Sequence, residues 1–580
     1  MVNVKNLFGM AVMTTALVGC SSNDNLAPDG KDNVGKAGEA YASFTINLPT
    51  TTGNGTRGDE TVKDGTPSFA EGTAAEYEVK NGTILIFDAN TDMFVTSAEL
   101  GTMNPWTDVK TNGVTTSAIA TVKLTDVSTT GSYKALVLLN NNSETTPKVT
   151  LPTTADTYTS WSKDADKANA DRYVSTDGIF MANAPKYSAT SDPETLVPVA
   201  HVCASREQAE AMGATTVYVE RGLAKVTMEK FDTDGYKVAD GTYKDATVKI
   251  ENWKLDVTNK STFPVHQTGT LKGSWAEIWN TPRFYDGGNE TFKRVYWGTD
   301  PNYSTDKYSK GDNTVSPKKS ALNCCKDAFN MITNAQVNGD AGQDKPQYCL
   351  ENTFNLDNMK QGQTTRVVFK AKFIPKGCTA AETFYKIGNN TAIWKKADLE
   401  KQILAVATTV MNLTSAETKD YKVDLDAAAN NISGEAGQHM ITADNIVYTG
   451  SGSSKVPAAL AAINTKLGLS EENPTTHKEK VGISTYLNGE AYYIARIKHF
   501  NELTPWTAGT AYGTDNATFL GRYGVLRNNW YSLSVHTVSG LGYPEVPTVK
   551  PEIPDDENDQ YINVEVKILD WAMRKQIIDL

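Results

Sequence analysis

The stretch Tyr41-Ala-Ser-Phe44-Thr-Ile46-Asn-Leu48-Pro49 alternates without a break. Phe44, Ile46 and Leu48 fall on one side; Ser43, Thr45 and Asn47 fall on the other. A period of two is the pleat of a β-strand with one buried face. The far end repeats the device: in Tyr561-Ile-Asn-Val-Glu-Val-Lys-Ile568, the residues Ile562, Val564, Val566 and Ile568 alternate with polar neighbours. Between the ends lie short apolar runs such as Thr83–Phe87, Tyr133–Leu139, Thr247–Ile250 and Arg366–Ile374, separated by clusters of Gly, Asn, Asp and Thr. Many short strands with turn chemistry between them predict β-sandwiches. At 580 residues, two to four domains are expected.

Helical periodicity interrupts this pattern at Ser205–Met212, Ala321–Ala335, Ala397–Leu413 and Val456–Leu467. These segments are expected to decorate the sandwiches, with Leu399, Ile403, Val406 and Val410 forming a packing stripe. A domain boundary is expected near residue 213. Beyond it, Val217 and Val219 share one parity and Ala224, Val226 and Met228 the other. The switch at Gly222 fits a bulge or bend. Arg221 is either held by a local partner or exposed at an edge.

The net charge of −12 argues against nucleic-acid binding through the bulk surface. The six histidines are scattered and no CxxC occurs, so neither a metal site nor a cofactor is expected. The chain has no GxSxG, HExxH or phosphate-binding loop, and it is expected not to be an enzyme. Trp253, Trp275, Trp279 and Trp297 are read as core residues rather than a glycan platform.

The first residues combine Lys5, an apolar run over 7–17 and Leu17-Val-Gly-Cys20, the pattern of a cleaved signal. Leu-Val-Gly-Cys resembles a bacterial lipobox, with Cys20 as the acylated residue. A polar tether follows. After the 41–49 strand comes Thr50-Thr-Thr-Gly-Asn-Gly-Thr-Arg57-Gly58-Asp, in which Arg57 is the only Arg among the first 170 residues. A lone Arg in a Gly-rich loop suits a trypsin-like protease. Toward the other end, 547–560 is rich in Pro and acidic residues, an extended linker to the terminal strand. That strand either pairs within its own domain or is donated to a neighbour. Cys203, Cys324, Cys325, Cys349 and Cys378 are an odd set; a disulfide from Cys349 to Cys324 or Cys325 and buried free thiols both fit.

Several segments together resemble the Bacteroidales fimbrillins, most nearly the Mfa-type (short) fimbrial major subunits of type V pili. They are the lipobox at Cys20, the strand, loop and Arg at 41–57, Val219-Glu-Arg-Gly-Leu-Ala-Lys-Val226, and Val367-Val-Phe-Lys-Ala-Lys-Phe373. The series continues with Tyr486–Ile497, Val525–Tyr531 and the terminal Val564-Glu-Val-Lys-Ile-Leu-Asp-Trp571. The resemblance implies a mainly β chain with two transthyretin-like β-sandwich domains carrying helical insertions. It also implies a removable N-terminal strand (Phe44, Ile46, Leu48) and a C-terminal donor strand (Ile562, Val564, Val566, Ile568, Trp571).

The expected layout is a signal peptide at 1–19 and a lipidated propeptide at 20–57, then domains at 58–213 and 214–550, then a linker and donor strand at 551–580. The implied function is the structural shaft of a cell-surface fimbria serving adhesion and biofilm formation. The chain would be cut between Arg57 and Gly58 by an Arg-specific protease. Its implied partners are further copies of itself, tip and anchor subunits, and the outer membrane through the precursor's lipid. The alternatives are a tip or anchor subunit, or a monomeric glycan-binding lipoprotein.

Overall fold

The computed structural model describes residues 39–49, 68–69, 72–101, 107–108, 114–142, 146–173, 178–187, 191–268, 295–337, 345–473, 480–499, 520–555, 563–564, 566–570 and 572–579. The fold is mainly β. Cys20, Arg57, Gly58, Trp275, Trp279, Ile562 and Trp571 lie outside the described residues.

One sheet runs, in spatial order, through Phe94–Glu99, Gly82–Asp88, Tyr133–Leu139, Met181–Asn183, Thr215–Arg221, Glu39–Pro49, Val114–Thr125 and Thr107–Asp108. It curls until its ends approach, where Thr96 Oγ1 and Thr125 Oγ1 lie 3.0 Å apart. The enclosed core takes Phe44, Ile46 and Leu48 together with Ile84, Ile86, Val122, Leu124, Val137, Leu139, Val217 and Val219. The strands at 82–88 and 133–139 are apolar at nearly every position because both of their faces are buried. Leu85, Phe87, Leu136 and Leu138 point away from the first core into a second one built around Trp161, Tyr173 and Phe180.

A sandwich follows. One layer is ordered Gln347–Cys349, Ala224–Met228, Asn529–Thr537, Ala572–Asp579, Val566–Asp570 and Ser68–Phe69. The other is Tyr236–Lys237, Thr247–Asp256, Arg366–Ile374 and Glu490–Arg496. Val226, Tyr531 and Leu533 from the first layer meet Trp253, Val367, Phe369, Phe373 and Tyr493 from the second. Trp253 and Trp297 are fully buried in this core, as expected.

The boundary differs from the expected one. Thr215–Arg221 lies beyond position 213 yet pairs with Glu39–Pro49 and Met181–Asn183 in the first sheet. The chain crosses to the sandwich at Gly222. A Cβ there would stand 2.8 Å from both Phe180 Cδ1 and Tyr173 Cε1, so the crossing passes too close to the core for any side chain. The parity switch marks this crossing. Ser68–Phe69 also departs from the expected layout, since it pairs in the sandwich and not in the first sheet. Partner choice across hundreds of residues leaves no local signature in a strand.

The helices form at Arg206–Met212, Lys396–Val410 and Val456–Lys466. The expected helix at 321–335 stops at Ala328, because Phe329–Asn330 extends to pair with Thr258–Asn259. A short helix resumes at Asn334–Val337. The two longer helices belong to an insertion between Arg366–Ile374 and Glu490–Arg496, which builds a core of its own. Leu399 and Ile403 are fully buried there, and Val406 and Val410 pack at its margin.

Candidate strand-exchange site

The strand Glu39–Pro49 sits inside its sheet. It pairs antiparallel with Val114–Thr125 over eleven positions and parallel with Thr215–Arg221 over four. Tyr41 and Cys203 exchange two further backbone bonds of 2.8 Å each. Phe44 and Ile46 are fully buried, and Leu48 is nearly so. Ala40 and Ala42 line the same row, so the strand is narrow at its beginning and bulky toward its end. Sequence reasoning missed these two alanines; the parity of Phe44 extends to them. On the other face, Asn47 Oδ1 accepts a 2.6 Å bond from Ser117, and the Ser43 and Thr121 hydroxyls are 2.7 Å apart. Ser43 and Asn47 are therefore paired as well as buried, and each costs little to enclose.

The C-terminal segment is a hairpin on its own sandwich. Ala572–Asp579 runs parallel to Asn529–Thr537 over eight registered pairs, and Val566–Asp570 folds back antiparallel along it. Asn563–Val564 pairs with the end of the same strand. Val564 and Ile568 thus face Ile578 and Arg574 of Ala572–Asp579 in one common register. The outermost partner of the hairpin is Ser68–Phe69, which pairs parallel with Leu569 and Asp570.

Between the first sheet and the sandwich is a buried polar joint. Glu76, on the helix Ala74–Tyr77, receives the Lys225 ammonium at 2.6 Å and the Tyr348 hydroxyl at 2.6 Å. The Glu76 carbonyl accepts from Arg221 Nε at 2.8 Å, and Arg221 Nη1 reaches Asn528 Oδ1 at 3.3 Å. Of the two readings left open for Arg221, the held one is correct. The preceding residue does the same: Glu220 Oε1 lies 2.6 Å from His266 Nδ1. His266 Nε2 stands 3.9 Å from Glu351, whose other oxygen is 3.5 Å from Arg527 Nε. Burial by itself drives the Glu76 carboxyl up, but the bonds from Lys225 and Tyr348 together outweigh it and hold the group below its ordinary value. Burial depresses the Lys225 ammonium, against the pull of Glu76.

The described cysteines are all free, and four of the five are buried. The disulfide alternative from Cys349 is not realised; burial pushes its thiol up to about 12. Among the described residues no cluster of metal-ligating side chains occurs, and no helix is long and apolar enough to cross a membrane.

Residues 484–576 match the family model for the C-terminal part of fimbrillin, the major fimbrial subunit protein type IV. That span holds the strand at 490–496, the strand at 529–537 and most of the terminal hairpin. No curated protein matches the chain. Among solved structures, it is similar to a fimbrial assembly protein from Parabacteroides distasonis, at 13% identity over 59% of this chain and 87% of that one, with a TM-score of 0.26. It is also similar to a candidate adhesin from Bacteroides ovatus, at 11% identity over 57% and 72%, with a TM-score of 0.20. Overlaps this loose carry no weight for the arrangement of the domains. Over 484–576, across strands that complete the sandwich, the chain is similar to the C-terminal part of a fimbrillin.

Proposed function

We propose that the chain is the polymerising shaft subunit of a cell-surface fimbria of the short, Mfa-type class, and that it serves adhesion and not catalysis. It is exported as a lipoprotein acylated at Cys20, held at the outer membrane and cut between Arg57 and Gly58 by an Arg-specific protease. The cut frees Glu39–Pro49, and the C-terminal segment of the next copy fills the space.

The observation that carries this reading is the place of Glu39–Pro49. An N-terminal strand is a central member of a sheet and supplies one row of its core. Its loss would leave two ladders unpaired and an apolar slot, a template for an incoming strand. Phe44, Ile46 and Leu48 contribute ~1.5–3 kcal/mol each on burial, so an empty slot is costly enough to drive refilling. The row Ile562, Val564, Val566, Ile568 has the alternation the slot requires. A head-to-tail contact that does not close on itself gives a filament. Further copies, then tip and anchor subunits, are the partners.

The test is limited trypsin on the full chain, followed by intact mass and SDS-resistant laddering. Loss of the residues up to Arg57 together with ladders supports the reading. If chains truncated after Gln560 ladder equally well, the tail is an ordinary internal element and the shaft assignment fails. Growth that stops at one added copy points instead to a tip or anchor subunit.

A further inference from the structure

The insertion between Arg366–Ile374 and Glu490–Arg496 carries a groove that belongs to neither sheet and plays no part in strand exchange. Its volume is about 670 Å³, and its lining includes Ile393, Trp394, Lys395, Asp398, Lys401 and Gln402. Small-molecule sites span about 300–1,000 Å³. The fold fixes both walls. Trp394 exchanges two backbone bonds with Tyr385, of 2.8 and 3.0 Å, and its side chain packs at the margin of the insertion's own core. The helix Lys396–Val410 begins just beyond it. Leu399 and Ile403 turn the inner face of that helix into the core. Asp398, Lys401 and Gln402, spaced i, i+3 and i+4, therefore share the outer face that lines the groove.

Trp394 sets the character of the groove. It is half-buried, and its indole N–H is shielded from water with no acceptor among the described residues. An enclosed donor without a partner costs its hydration, a cost that Phe or Leu would avoid. With the N–H turned inward, the part of the ring that meets the groove is carbon. Around this flat carbon surface stand both donors and acceptors: the Asp398 carboxylate, the Gln402 amide, and the Lys395 and Lys401 ammoniums. Asp398 and Lys401 pair with each other at 3.3 Å, so neither brings a bare charge to a ligand. We infer that this groove binds one pyranose ring of a glycan, its C–H face on Trp394 and its hydroxyls on Asp398, Gln402 and Lys395. A sugar ring has the matching chemistry: one apolar face, and a rim of hydroxyls that each donate and accept. A peptide strand would need a row of free backbone groups, whereas this wall is a helix, whose backbone is satisfied internally. As a binding site the groove does not depend on strand exchange. As an account of adhesion it rests on the proposed function, to which it adds a ligand class.

Saturation-transfer NMR on the uncut, full-length chain tests the groove without reference to polymerisation. The probes are maltotriose, N-acetyllactosamine, mannotriose and sialyllactose, each titrated into wild type and variants. Saturable binding of at least one of them is expected. Trp394→Ala should weaken it by about tenfold or more, whereas Trp394→Phe keeps a flat carbon face and should stay within about threefold of wild type. Gln402→Ala should weaken it by about fivefold, the loss of one hydrogen bond. No saturable binding by wild type overturns the groove, and so does equal binding by wild type and Trp394→Ala.

Trp394 also packs on the insertion core, so a second variant separates lost binding from lost folding. Ala405 is exposed on the same helix wall, and Ala405→Trp fills the groove from the solvent side. It is expected to abolish sugar binding while amides of 399–411 keep wild-type hydrogen exchange. Sugar binding retained by Ala405→Trp overturns the site. Laddering after trypsin should be the same in wild type and Ala405→Trp. If wild type does not ladder, the shaft reading fails, and the sugar titration still decides the groove. If wild type binds no sugar and Ala405→Trp alone loses laddering, the face is a contact between copies and the sugar assignment is overturned.

Discussion

The strands at the two ends of the chain share one sequence pattern and occupy opposite structural positions. Glu39–Pro49 has neighbours on both sides and a fully buried apolar row. Among the described residues, the C-terminal hairpin has eight pairs on its inner side and Ser68–Phe69 on its outer side. Alternation says that a strand has one apolar face. It does not say whether the strand is central or marginal. A central strand leaves only by breaking two ladders and emptying a core row, which makes a covalent cut upstream of its release reasonable. The hairpin leaves by opening its ladder to Asn529–Thr537 and the pairing with Ser68–Phe69, which on the proposed reading suits a donor. The two ends differ in placement, not in composition; on the proposed reading that difference separates the strand that is removed from the one that is donated.

The largest effect expected from breaking this contrast is at the central strand. Phe44→Ala should cost ~3–5 kcal/mol, from lost burial plus the cavity, read by urea unfolding of the uncut chain. A cost under ~1 kcal/mol would show that the row is not sealed and that the strand is marginal after all.

The joint comes next. Glu76→Gln leaves the Lys225 ammonium buried opposite a neutral amide, a change expected to cost ~3 kcal/mol or more. Its pH signature follows from the sign of the shift. The Glu76 carboxyl is held below its ordinary value of 4.5, so its contribution is present above that value and is lost as pH falls below it. Wild type should therefore lose stability between the domains on acidification below about pH 4.5, and Glu76→Gln should show a flatter curve there. Parallel curves for the two proteins would mean that Glu76 carries no such contribution.

Truncation after Asp555 sharpens the comparison from the other end. It removes the hairpin and should abolish laddering, while hydrogen exchange at Glu39–Pro49 stays within about twofold of wild type. A collapse of protection at 39–49 would show that the two ends support each other within one chain. The smallest effect is expected on the solvent face of the same sheet. Ile119, 73% exposed on Val114–Thr125, should tolerate Ile119→Thr within ~0.5 kcal/mol by the same urea assay, although it lies directly opposite Thr45.

Much of the strand content was legible. Tyr133–Leu139 and Arg366–Ile374 form as their short apolar runs bounded by turn residues predict. The bend at Gly222 announced itself as a change of parity. The helix stripe at Leu399 and Ile403 was readable, but not that it would build a core with Ile446, Ile463 and Ile483. The joint was half legible: Arg221 stood out as a charge within an apolar run, whereas its partners lie far along the chain and carry no mark of the pairing.

The sequence by itself determined which segments are strands, which face of each is apolar, and that both ends of the chain carry the same strand alternation. Those properties are set by neighbours two residues apart, through the pleat. The tertiary structure decided that Thr215–Arg221 closes the first sheet, that Ser68–Phe69 crosses to the second domain, that the cysteines stay unpaired and that the tail lies on its own sandwich. Those outcomes depend on which edge meets which, across hundreds of residues. A backbone N–H carries no label for its partner, so only the packing of the whole chain makes that choice.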